Sequence, residues 1–242
     1  MFIACLSVGG ETPAAVLANA DDAFFRMDYP GAIASYEGML QANPTDPSIL
    51  WRLARAYVCL AEPIEDARRG ALCKKAEDYA RRCIALDPVV PEAHTWLAGA
   101  LGYLALDTTM KGQADLSFEI LAETGKALAP NPHDDAALSI RGSLFRALGN
   151  VSWFERRLAG LLFGGIPNGG YDEAEESLKL AIAAAPDVMR HTYELGVLYI
   201  DMGRLQDARA AFEKVLTLPI RVTIDKPRQQ KARELLQTLE NK

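Results

Sequence analysis

The chain has 242 residues, is 50% hydrophobic and 24% charged, and carries a formal net charge of −6. That is ordinary globular composition, and its acidity argues against a nucleic-acid binder, which needs a basic face. No run of 18 or more apolar residues is present to span a membrane.

Residues 1–12 begin MFIACLSVGG, apolar but without a basic region ahead of them and short for the core of an export signal. Two expectations stay open. A frayed start goes with a cytoplasmic chain, and the tail of an export signal goes with a periplasmic one; Phe-Ile-Ala-Cys at 2–5 resembles the end of a bacterial lipoprotein signal.

From residue 13 onward the pattern is helical and repeated. Ala20, Ala54, Ala98, Gly142 and Gly196 each sit eight places into an apolar stripe, at intervals of 34, 44, 44 and 54 residues. A basic period of 34 lengthened by inserts is tetratricopeptide spacing. It divides the chain into repeats at about 13–46, 47–90, 91–134, 135–188 and 189–222. The first helix of each pair carries stripes such as Leu50, Leu53, Ala54 and Tyr57, or Thr192, Leu195, Gly196 and Tyr199. In the second helix, residues at i, i+4 and i+7 share a face and a proline follows. Ala32, Tyr36, Met39 and Pro44 do this first, and Ala208, Phe212, Val215 and Pro219 last. Proline ends such a helix because it has no N–H to donate. Residues 225–240 read as a capping helix with Leu235, Leu236 and Leu239 on the last repeat and Lys226, Arg228, Lys231 and Arg233 outside. The expected fold is therefore all-α, a right-handed α-solenoid forming one domain over 13–242.

Three repeats carry inserts between their helices. Those at EPIEDARRGALCKK and DTTMKGQADLSFE lengthen a helix around a short loop, and inserts on one side of a solenoid often build its binding face. The third is distinctive: NVSWFERRLAGLLFGGIPNGGYDEA at 150–174. Its core, Trp153–Phe163, fits a short helix with Phe154, Leu158, Leu161 and Leu162 on one side, ended by Gly164 and Gly165.

Together with WRLARAY at 51–57 and HTWLAGAL after it, this Trp-Phe-Glu-Arg-Arg segment resembles the regulator of microtubule dynamics family over most of the chain from Trp51 onward. The resemblance implies an α-solenoid adaptor without catalysis. It further implies association with microtubules in eukaryotic members, and in a membrane-anchored branch a helical-repeat domain that holds a phospholipid. The transmembrane helix and coiled coil of that branch are not seen here, and the Ala-rich sequence suits a bacterial relative.

In this repeat the concave wall is lined by the first helices. The expected ligand groove comprises Trp51, Arg52, Arg55, Trp96, Tyr103, Ile140, Arg146 and Tyr193. Aromatic and aliphatic groups with arginines fit a partner with an apolar body and an acidic group, either a phospholipid or a peptide segment. The insert helix, with Trp153, Phe154, Arg156, Arg157, Leu161 and Leu162, forms its lid or edge, and weak contact with a membrane surface suits its composition. Arg156 and Arg157 either hold a phosphate or pair with Glu155, Glu173, Glu175 or Glu176. The alternative is a protein scaffold working through its convex face and inserts, its tryptophans packed as core.

No catalytic constellation stands out. GGIPNGG lacks the Lys-Ser/Thr of a phosphate loop, and the acids beside His133 suit helix capping. Cys5, Cys59, Cys73 and Cys83 show no Cys-x-x-Cys spacing, and the three histidines lie far apart, so no metal and no cofactor is expected. Cys83 is expected as a buried free thiol.

Overall fold

The computed structural model describes residues 12–240, so the expected segment 1–12 lies outside the described residues except for Thr12. All regular structure among the described residues is helical. The first hairpin is α1 (Pro13–Phe25) and α2 (Tyr29–Ala42), followed by α3 (Pro47–Ala61) and α4 (Ala67–Leu86). Next come α5 (Pro91–Ala105) with α6 (Met110–Leu128), and α7 (Asp135–Gly149) with α9 (Tyr171–Ala184), between which α8 (Trp153–Phe163) is inserted. The fifth hairpin is α10 (Met189–Asp201) and α11 (Leu205–Thr217), covered by α12 (Asp225–Glu240). The architecture is the all-α solenoid expected from the sequence.

Local chemistry sets the helix starts. Thr12, Asp28, Asp46, Asp66, Thr109, Asp134 and Ser152 each accept a backbone N–H of the first turn. Proline occupies the first turn of α1, α2, α3 and α5, where no N–H is needed. The first two inserts become extra turns, giving α4 20 residues and α6 19 against 14 in α2.

Within the later hairpins the eighth position of one helix meets the bulky residue of the next. A Cβ on Gly142 would lie 2.7 Å from Leu178, and one on Gly196 would lie 2.7 Å from Phe212. Leu178 and Phe212 are fully buried. In the earlier hairpins the eighth position is alanine, and Ala20, Ala54 and Ala98 are all buried. Two hydrophobic clusters result, one centred on the first two repeats and one on the later ones; they interleave through α3, α4 and α5, where Trp96 packs against both.

The C-terminal cap corrects one expectation. Lys226, Lys231 and Arg233 are exposed, but Arg228 is turned inward, 8% exposed, between Asp225 at 2.9 Å and Glu62 at the end of α3. The cause is curvature. The superhelix brings the start of α12 over the second repeat, and Thr223 reaches Tyr29 in the first. Asp225 is held there by the N–H groups of Arg221 (2.8 Å) and Val222 (3.0 Å).

Candidate functional site

Two inserts wall one cavity of about 540 Å³. Gly99, Gly102 and Tyr103 come from α5, and Ile140, Ser143 and Arg146 from α7. Met110, Gln113, Ala114 and Ser117 belong to the lengthened start of α6, while Glu155 and Ala159 belong to α8. Space exists because α5 presents small residues: a Cβ on Gly102 meets nothing within 4 Å. Leu106 and Met110 line the cavity while remaining 62% and 50% exposed, so its mouth is apolar.

The polar end gathers Glu62, Arg146, Arg190 and Glu194. Arg146 lies 3.0 Å from Asp201 and 3.6 Å from Glu194; Arg190 lies 3.5 Å from Glu62. Burial pushes the Glu62 carboxyl up, but the Arg190 and Arg228 guanidinium groups and the Tyr103 hydroxyl outweigh it, leaving the group below the usual carboxylate range. Burial likewise raises the Tyr103 hydroxyl and lifts the Cys59 thiol to about 12. Cys73 and the buried Cys83 are each raised to about 11, so these three sulfurs are neutral thiols rather than nucleophiles.

The expected groove is divided. Tyr103, Ile140 and Arg146 line the large cavity. Trp51, Arg55 and Trp96 instead border a smaller one of about 280 Å³ beside Asp134 and Asp135. There the arginines are already engaged: Arg52 lies 3.0 Å from Asp21 and stacks 4.4 Å from the Trp51 ring centre. Arg55 lies 3.5 Å from the same carboxylate and 3.8 Å over the Phe24 ring. Tyr36 shares Asp21 at 2.5 Å, and burial with that bond lifts its hydroxyl to about 12. Tyr193 borders neither cavity and packs edge-on against Phe212, with ring centres 5.8 Å apart. The capping expectation beside His133 holds for Asp134, which accepts from Ala137 N at 3.0 Å, whereas Asp135 engages His191 at 2.9 Å.

On α8 a reciprocal capping box joins Ser152 and Glu155, and Gly164 and Gly165 end the helix at φ 88° and 101°. The Arg156 guanidinium is turned onto the main chain. It donates to three carbonyls, Leu148 at 2.6 Å, Gly169 at 2.9 Å and Pro167 at 3.2 Å, pinning the 164–170 loop to the end of α7. Arg157 stacks 5.5 Å from the Trp153 ring centre. Trp153, Phe154, Leu161 and Leu162 face solvent, so this insert does not fill the groove as core. Glu62, Arg190 and Arg228 were absent from the expected site. Arg190 occupies the second place of its repeat, a groove position, whereas nothing local marks the other two.

The family model for Regulator of microtubule dynamics protein 1-3 matches residues 16–240. Regulator of microtubule dynamics protein 1 of Caenorhabditis elegans is 23% identical, over 91% of this chain and 97% of its own. The Mus musculus protein 1 is 26% identical, over 83% of this chain and 67% of its own. Protein 2 of Bos taurus is 23% identical, and the match spans 78% of this chain but 47% of that protein. A thermophilic TPR protein in Thermus thermophilus superposes with a TM-score of 0.70 at 23% identity, over 93% of this chain and all of its own. PilW, a type IV pilus biogenesis factor, gives a TM-score of 0.57 at 20% identity, over 96% and 94%. These structural likenesses show the tetratricopeptide-like fold.

Proposed function

The chain belongs to the regulator of microtubule dynamics family, and we propose that it is a non-catalytic adaptor that captures an apolar ligand bearing an acidic group. The cavity between α5, α6, α7 and α8 receives that ligand, a phospholipid or a peptide segment. One observation carries this reading: the inserts that distinguish the chain from a plain array wall a cavity of ligand size, with Arg146 and Arg190 at its inner end. Small and aliphatic side chains accept the apolar body. The acidic group competes with Asp201 and Glu194 for Arg146, an exchange of one anionic partner for another.

Native mass spectrometry of the purified chain, with lipid extraction from the same sample, tests this directly. Gly102→Trp fills the cavity from a position where a Cβ meets nothing. The expected result is a co-purifying or added ligand that binds the wild type and not this variant, at unchanged thermal stability. Equal ligand binding by both proteins overturns the cavity assignment.

A second reading, a protein scaffold using the convex face and inserts, is supported by the internal pairing of Arg52 and Arg55 and by the names of the relatives. It predicts that partner pull-down by the Gly102→Trp variant matches the wild type.

A further inference from the structure

The insert helix α8 turns an apolar face to solvent that nothing among the described residues covers. Two of its i, i+4 ridges point outward: Trp153, Arg157 and Leu161 form one, and Phe154, Leu158 and Leu162 the next. Trp153 is 72% exposed, Phe154 67%, Leu161 80% and Leu162 66%. The exposure comes with firm anchoring. Ala159 is buried, Arg156 ties the helix to three carbonyls, and the capping box fixes its start. On these outward ridges the one charge is the Arg157 guanidinium, stacked on Trp153; Glu155 lies on the row of Ala159 and is folded back onto Ser152.

We propose that α8 is an interfacial helix that seats the protein on an anionic lipid surface. Trp153, Phe154, Leu161 and Leu162 enter the boundary between headgroups and acyl chains, and Arg157 lies among the lipid phosphates. Tryptophan, phenylalanine and leucine around a cation suit that layer. A second copy fits less well. The patch exposes on the order of 500 Å², below the roughly 800 Å² per partner of a stable protein interface. Pairing two such faces would also bury two guanidinium groups with no carboxylate on either face. The proposal rests on α8 alone and not on what the cavity holds.

Vesicle flotation of the full chain decides it, using phosphatidylcholine alone and phosphatidylcholine with one third phosphatidylserine. The wild type floats with the mixed vesicles. Phe154→Asp with Leu161→Asp, both at exposed positions, lowers partitioning by at least about tenfold with an unchanged thermal midpoint. Arg157→Glu reduces binding to mixed vesicles to the level seen on phosphatidylcholine. Gly102→Trp leaves flotation unchanged, which separates this test from that of the cavity. Absence of wild-type flotation, equal flotation of the double aspartate variant, or full retention by Arg157→Glu overturns the proposal. So does a concentration-dependent dimer in light scattering that the double variant abolishes, since the face then belongs to a second copy.

Discussion

Glu62→Gln is expected to be the most costly polar substitution in the molecule. The carboxylate sits at the inner end of the cavity, 3.5 Å from Arg190 and in contact with Arg228 from the C-terminal cap. Removing one member of a buried pair costs about 3–5 kcal/mol because an uncompensated charge remains. Arg228 keeps Asp225 at 2.9 Å, but Glu62 is the one carboxylate in ion-pair contact with Arg190 among the described residues. The expected loss is therefore about 3 kcal/mol. Arg228→Gln is milder, about 1–2 kcal/mol, since Glu62 keeps Arg190 and Asp225 keeps two backbone N–H groups. Urea unfolding followed by circular dichroism at pH 7 reads both, and the double variant should fall short of additivity by about 1 kcal/mol or more. A Glu62→Gln loss under about 0.5 kcal/mol, or strict additivity, would refute the idea that this carboxylate clamps the cap to the second repeat.

Three further outcomes follow from the packing. Gly196→Ala costs about 1–3 kcal/mol by driving a methyl into Phe212, and Phe212→Leu in the same chain recovers part of it in thermal unfolding. Arg156→Ala strands the carbonyls of Pro167 and Gly169, while Leu148 keeps the Val151 N–H; it costs about 1–3 kcal/mol and speeds proteolysis within 164–170, whereas Arg157→Ala leaves both unchanged. Acid weakens the fold through Glu62, Glu123 and Glu175, whose carboxyls burial raises but neighbouring cations and hydroxyls or imidazole bring below the usual range. A depressed folded-state value stabilises above the unfolded value near ~4.3 and loses that contribution as pH falls through the folded one. The urea midpoint should thus hold from neutrality to about pH 5 and drop below about pH 4, a profile that Glu62→Gln flattens.

The fold was legible because its determinants are local. Gly196 and Phe212 lie in one hairpin, so the demand for a small residue opposite a large one recurs with the period and shows in the sequence. Proline and the Gly164-Gly165 pair mark helix ends by backbone chemistry that depends on no distant partner. The groove was legible only in part. Asp21, which engages Arg52 and Arg55, lies in α1, 31 and 34 positions before them, and nothing local announces the pairing. Arg156 bonds to backbone carbonyls, which no partner residue type announces. Arg228 meets Glu62 across 166 positions, through curvature that emerges only when all five hairpins are stacked.

The large cavity owes its walls to insert length rather than to a groove motif. The arginines on the concave side are paired across repeats: Arg52 with α1, Arg146 with α10, and Arg190 with the end of α3. Such pairs close the superhelix and leave little free charge at its centre. Open space persists where α6 starts early and α8 branches away, because there α5 and α7 face residues that a 34-residue repeat would not contain. A plain array with the same first helices would lack Met110, Gln113, Ala114, Ser117, Glu155 and Ala159, and with them two walls of the cavity. The same branching leaves the outer side of α8 without a neighbouring helix, so one insertion accounts for both the cavity wall and the exposed apolar face.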